Sequence, residues 1–227
     1  MQLEKVTKRH YDDACAAAHA LDLIGERWAL LVVRELMFGP KRFSDLRASL
    51  PGISANVLTQ RLEGLEAASI LIRRKLPSPA SAWVYELSEW GRELEPVFQA
   101  LGRWAARSPS HDPSRPFGAA SLLLSFRTML DADLAREFDA TIGFQLGNEY
   151  FVGRLHEGQF DVSRNDAGKC DFTMSGEARA IAAVVYGGVT LEEGEASLGI
   201  VITGDRALAK RFVSLFPLPA PAPKLAG

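Results

Sequence analysis

The hydrophobic positions change period several times along the chain, and each change marks an element. Residues 53 to 74, ISANVLTQRLEGLEAASILIRR, start at helical period and finish as a strand. Val57, Leu58, Leu62 and Leu65 share one helix face, and Ser54 precedes them where its hydroxyl can accept a first-turn N–H. At ~100° per residue the opposite face carries Asn56, Thr59, Gln60 and Glu63, with Arg61 on its flank. From Ile70 the period shortens. Ile70, Leu71 and Ile72 run into Arg73, Arg74, Lys75 and Leu76, PSPASA supplies a turn, and Trp83, Val84, Tyr85 and Leu87 return as a second strand.

Before this stretch the pattern predicts three helices. The first runs from Asp12 to Ile24 and closes at Gly25. The second, Arg27 to Phe38, has a broad apolar stripe of Trp28, Leu31, Val32, Leu36 and Met37, which implies burial on more than one side, and Gly39-Pro40 ends it. The third is short, about Phe43 to Ser49, introduced by Lys41 and Arg42 and closed by Leu50-Pro51-Gly52. Two short helices joined by a tight glycine-containing turn form a helix-turn-helix, and the basic hairpin behind it is predicted to be a wing. Ser88 then caps a helix predicted to run to about Arg107, with Leu94, Val97, Phe98, Leu101 and Trp104 on one side and a kink at Pro96. The terminal helices of this module carry more apolar surface than it can cover, which predicts a homodimer interface.

The second half has another grammar. SPSHDPSRP, residues 108–116, is a linker without apolar period, and PLPAPAPKLAG, residues 217–227, is predicted to be a flexible proline-alanine tail. Between them, helices are expected at Leu122 to Leu130 and Asp133 to Phe138. Short strands follow at Thr141 to Leu146, Tyr150 to Leu155, Gln159 to Arg164 and Asp171 to Met174. A helix from about Glu177 ends at Gly187-Gly188, Thr190 and Glu193 make a capping box, a strand covers Leu198 to Thr203, and Asp205 caps a final helix to Phe216. The expected fold class is α+β, a winged helix-turn-helix over residues 1–107 followed by a small α+β meander over 117–216.

Charge adjusts this picture only locally. The net charge of −2 excludes a broadly basic nucleic-acid coat, but residues 1–107 hold 15 Lys plus Arg against 13 Asp plus Glu, and the remainder 11 against 15. The positive balance falls on the half that carries the helix-turn-helix. The start, MQLEKVTKRHYDDAC, lacks the apolar stretch of a signal peptide and no run approaches a membrane span, so a cytoplasmic protein without membrane partner is expected. Two cysteines, Cys15 and Cys170, are too few for a disulfide framework or a zinc site, and no metal or cofactor is expected.

The chemistry points to binding. Asn56 and Gln60 amides can pair with adenine edges, Thr59 offers a hydroxyl or a methyl, and Arg61 can reach phosphate or guanine. Lys41, Arg42, Arg61, Arg73, Arg74 and Lys75 are expected to hold the DNA backbone, and Ser44 and Ser54 complete the expected contact set. Cys15 and His19, four apart in the predicted first helix, are read either as a thiolate favoured by an imidazole, hence a redox or electrophile sensor, or as a small buried hydrophobe beside a neighbour. In the second half no phosphate loop, zinc spacing or glycine-flanked serine nucleophile occurs, His156 falls in a solvated turn, and no enzyme is expected. Phe144, Leu146, Phe151, Phe172, Ile181, Val185 and Tyr186 are the candidate lining of an apolar ligand site, core being the other reading.

LDLIGERWALLVVRELMFGPKRFSDLRASLPGISANVLTQRLEGLEAASILIRR followed by YELSEWGRELEPVFQALGRWA resembles the HxlR-type winged helix-turn-helix regulators of bacteria over about residues 12–107. The resemblance implies a dimeric transcription factor acting on operator DNA, with a sensor cysteine near the N-terminus in many members. A proline commonly follows that cysteine, and here Ala16 stands in its place. SGEARAIAAVVYGGVTLEEGEASLGIVITGDRALAKRFVSLF resembles the sterol carrier protein type 2 family, which implies a lipid-accepting tunnel and an apolar ligand; in a regulator the same fold can instead serve to support the dimer. The competing expectation is a carrier of hydrophobic ligands that uses the winged helix as scaffold.

Overall fold

In the computed structural model, which describes residues 10–164 and 168–223, helices and one hairpin build the first part of the chain. The helices are α1 (Ala16–Ile24), α2 (Ala29–Leu36), α3 (Phe43–Ser49) and α4 (Ala55–Ala67), followed by β1 (Leu71–Lys75), β2 (Trp83–Leu87) and α5 (Glu89–Arg92). Their apolar stripes converge: Val32, Val33, Leu46, Leu58, Leu62 and Leu87 belong to one buried cluster. The broad stripe of α2 is explained by this burial, since Val32, Val33 and Leu36 are all inside. Between α3 and α4 the chain turns at Gly52, whose φ of +89° a side chain would strain.

The hairpin is antiparallel, with Leu71 opposite Leu87, Arg73 opposite Tyr85 and Lys75 opposite Trp83. Lys41 adds a short third lane: its N–H donates to Tyr85 O at 3.0 Å, and the Tyr85 N–H donates back to Lys41 O at 2.9 Å. Ser88 closes the hairpin, its hydroxyl donating to Ser69 O at 2.7 Å and accepting from the Gly91 N–H at 2.9 Å. A Cβ at Gly91 would lie 1.9 Å from Ile70 O, so only glycine lets α5 seat against this junction.

The helix predicted from Ser88 to Arg107 is instead two helices, α5 and α6 (Leu94–Ala106). Pro96 has no N–H and its ring crowds the carbonyl four residues back, on Arg92, where α5 stops. The proline therefore divides the segment, whereas a kink was expected. The chain also forms two compact units that meet in sequence between Leu94 and Glu95, upstream of the expected linker. The cause lies in α6, where Arg103 donates to Thr128 O and Glu95 pairs with Arg127 at 2.9 Å, both partners lying far along the second unit.

The second unit adds α7 (Ala119–Met129), α8 (Ala132–Ala135), α9 (Ala178–Tyr186), α10 (Leu191–Ser197), α11 (Arg206–Phe212) and a 3₁₀ turn at Val213–Leu215. Its sheet comprises β3 (Ala140–Leu146), β4 (Glu149–His156), β5 (Gln159–Arg164), β6 (Phe172–Gly176) and β7 (Val201–Gly204), in the order β5-β4-β3-β6-β7. β3 and β6 are parallel and the other pairs antiparallel, so the sheet is mixed and the expected simple meander is corrected. β4 covers one edge of β3, and β6 takes the other, with Ile142 opposite Phe172 and Phe144 opposite Met174. That register places four buried side chains on one face, which alternation alone demands without naming the neighbour. The proline-alanine stretch is held as far as Ala222, whose N–H donates to Arg107 O at 2.7 Å.

Candidate nucleic-acid interface

Helix α4 is oriented by its leucines. Leu58, Leu62 and Leu65 are buried, which leaves Asn56, Thr59, Gln60 and Glu63 exposed along the other side. Ser54 sits at the N-cap and accepts the Val57 N–H at 3.2 Å, so its hydroxyl is engaged with its own helix. The exposed face offers two amides and a hydroxyl on a rigid element, a set of groups that matches base edges in a major groove. Arg42 and Ser44 are also exposed at the start of α3, with Asp45 accepting from the Ser44 hydroxyl at 3.0 Å.

Three of the expected backbone contacts are committed elsewhere. Lys41 is 3% exposed, with its Nζ 2.9 Å from Glu35 Oε2 and 3.1 Å from Ser49 Oγ. It is an internal tie between α2, α3 and the wing, and the expectation of a phosphate contact is corrected on that ground. The signal was available in Glu35, a carboxylate between Val32 and Leu36 on the apolar face of α2, because a charge placed there requires a cation. Arg61 turns back to Glu26 at 3.2 Å, with its Nε buried and unpartnered among the described residues. Arg74 Nε lies 2.6 Å from Glu86 Oε2, while Arg92 meets the other Glu86 oxygen at 3.0 Å. Two guanidinium groups on one carboxylate leave Arg74 partly neutralised.

The remaining wing cations differ. Arg73 and Lys75 are exposed. The Arg73 guanidinium lies over the Trp83 ring at 4.8 Å and within 5.9 Å of the Tyr85 ring, which presents it on an aromatic platform. Periodicity marks Trp83 only as a strand residue. Cross-strand register places it beside the cations, and no local pattern announces that.

Cys15 is exposed and lies at the N-cap of α1, one residue before the helix, which corrects both the shared helical face with His19 and the buried-hydrophobe reading. The free backbone N–H groups at the start of α1, those of Ala17 and Ala18 foremost, hold its thiol below the ordinary range. The helix N-terminus, not the imidazole, favours the thiolate.

In the second unit Phe144, Leu146, Phe151, Phe172 and Ile181 are buried, while Val185 and Tyr186 are half-buried. The rings gather around two residues that periodicity did not single out: Phe126 and Phe212 lie 5.8 and 5.9 Å from Phe144, and Phe212 lies 5.8 Å from Phe172. The Tyr186 hydroxyl shares a hydrogen bond with Ser125 Oγ at 2.9 Å, and burial pushes its phenol upward. His156 is exposed and meets Asp139 at 2.9 Å. Among the described residues no cluster of His, Cys, Asp or Glu could hold a metal ion, and no helix is long and apolar enough to cross a membrane.

Comparison with known proteins finds two family segments, separated further along the chain than the boundary between the two compact units. Residues 23–112 match the HxlR-like helix-turn-helix family model, and residues 123–217 match the SCP-2 sterol transfer family model. The HTH-type transcriptional regulator YodB of Bacillus subtilis is 41% identical over 86 residues, 38% of this chain and 77% of that protein. The regulator YvaP of the same organism is 35% identical over 86 residues, 38% of this chain and 80% of its own length. The solved reduced form of YodB is 36% identical and covers 45% of this chain and 100% of that chain, with a TM-score of 0.39. The chain thus joins a helix-turn-helix segment to a sterol-carrier-like one, and through the first it belongs to the HxlR-like family of transcriptional regulators.

Proposed function

We propose that this regulator acts in the cytoplasm as a homodimer that reads double-stranded operator DNA with α4 and steadies itself on the flanking backbone with Arg42, Arg73 and Lys75. The observation that supports the reading best is the exposed face Asn56, Thr59 and Gln60 on a helix whose opposite leucines are locked in the core. Selection from random duplex DNA followed by anisotropy titration tests it. A recovered inverted repeat with half-sites about one helical turn apart, or a multiple of that, is the expected result. Retention that is the same for every sequence would overturn it and would favour a carrier of hydrophobic ligands.

Two inputs are proposed for regulation. The second unit accepts an apolar or aromatic effector among Phe144, Leu146, Phe151, Phe172, Ile181, Val185 and Tyr186, whose apolar side chains supply the matching chemistry. Coupling of about 1–3 kcal/mol would change operator affinity by roughly five- to a hundredfold, and operator must change effector affinity by the same factor. A ligand that saturates the protein and leaves operator affinity unmoved sinks that coupling. Cys15, exposed at a helix N-terminus, is the second input and is modulatory. Cys15→Ser should retain operator binding under reducing conditions and lose any response to oxidant.

A further inference from the structure

The turn that joins α1 to α2, Gly25 to Trp28, lies along the flank of α4. Glu26 meets Arg61, at the middle of that helix, at 3.2 Å, and a Cβ placed at Gly52, two residues before the Ser54 N-cap, would lie 3.9 Å from the Trp28 indole. The indole itself is fixed. Trp28 packs half-buried against the apolar cluster of this unit, and its backbone sits in the left-handed region at φ +78°, which a bulky side chain adopts only where its surroundings hold it. Arg27 is exposed and lies over that ring, its guanidinium 5.5 Å from the centroid. It has no ion pair among the described residues, whereas Arg34 is taken by Glu35 at 2.8 Å and Arg61 by Glu26. The wing repeats the arrangement, with Arg73 over Trp83 beyond the C-terminal end of α4. An arginine on an indole thus stands near each end of the reading helix. Stacking orients the guanidinium plane and leaves its N–H donors free, so a bidentate bond to a phosphate costs less ordering than it would from a loose side chain.

We propose that Arg27 is a phosphate-binding residue that anchors the start of α4 on the DNA backbone, outside the bases that Asn56, Thr59 and Gln60 meet. The proposal rests on the reading of α4 given above and adds a contact that fixes the register of that helix in the groove. Phosphate-ethylation interference on the selected operator, together with anisotropy titrations over a salt series, tests it on the full-length protein. Arg27→Ala is expected to abolish interference at about one phosphate per half-site, to lower the salt slope by about one unit and to weaken all duplexes about five- to tenfold at about 0.1 M salt, whereas Arg27→Lys keeps the slope. Arg179→Ala, which removes an exposed cation from α9, should leave all three unchanged. An Arg27→Ala protein with the parent's interference pattern and slope, or equal losses from Arg27→Ala and Arg179→Ala, would overturn the anchor. The two readings fail separately. Unchanged Arg27→Ala data beside a Gln60→Ala protein that has lost specificity remove only the anchor. A slope lowered by Arg27→Ala in a parent that retains every sequence equally removes only base reading by α4, and a parent that binds no duplex removes both.

Discussion

The ammonium of Lys41 and the carboxylate of Glu35 lie 2.9 Å apart, with side chains only 2% and 3% exposed. Glu35 also pairs with Arg34 at 2.8 Å, so Lys41→Met or Glu35→Gln weakens a buried charge network and is expected to cost about 1–3 kcal/mol in urea unfolding. The double change Glu35→Leu with Lys41→Met should recover most of that loss, since neither charge then remains to be solvated. Strict additivity of the two single losses would rule out the tie. Cys15 is the opposite case, a residue whose chemistry is set by exposure and two backbone donors. Its thiol is lowered, so the thiolate persists below the ordinary thiol range and is lost only as pH falls through the lowered value. Alkylation by iodoacetamide, followed against pH, should therefore have its Cys15 midpoint lower in the native protein than in urea. Coincident midpoints would mean that the helix terminus has no influence.

Among the elements, the wing separates charges that look alike in the sequence. Arg73, Arg74 and Lys75 are consecutive, yet alternation sends Arg74 to the side of Glu86 while Arg73 and Lys75 share a face with Trp83 and Tyr85. Arg73→Ala and Lys75→Ala should each lower the salt dependence of operator binding by about one unit of slope, uniformly over sequences. Arg74→Ala should change it much less, and Glu86→Gln should tighten binding by releasing Arg74 and Arg92. On α4, Gln60→Ala should instead cost about 1–3 kcal/mol at one operator position and relax specificity there. Anisotropy titrations over several salt concentrations on matched and mismatched operators separate the two classes. A Gln60 loss equal on all sequences would refute its role as a reader. The limits of α3, α4 and the wing strands were legible because caps, glycines and basic runs act within a few residues. The division among the three wing cations was not, because it depends on which residue of the returning strand stands opposite.

At the scale of the molecule, α6 carries Val97, Leu101 and Trp104 at helical spacing, all exposed, with Trp104 at 74%. An indole so exposed on an apolar line is the natural centre of the proposed dimer contact. Trp104→Glu is expected to give monomers in sedimentation at micromolar concentration and to weaken operator binding at least about tenfold, since a monomer engages a single half-site. A variant that stays dimeric would place the interface elsewhere. The chain alone determined what local chemistry controls: two halves of different grammar, a helix-turn-helix with a basic wing, the face of α4 that is buried, and the strands and caps of the second half. Each follows from periodicity and from hydrogen bonds spanning three or four residues. Tertiary structure decided the rest. It drew Lys41 inward to a carboxylate six residues away, grouped α6 with the second unit through Arg103 and Glu95, and placed β6 parallel to β3. Those outcomes depend on which distant groups satisfy one another's charges and hydrogen bonds once water is excluded, and sequence spacing does not encode the identity of such partners.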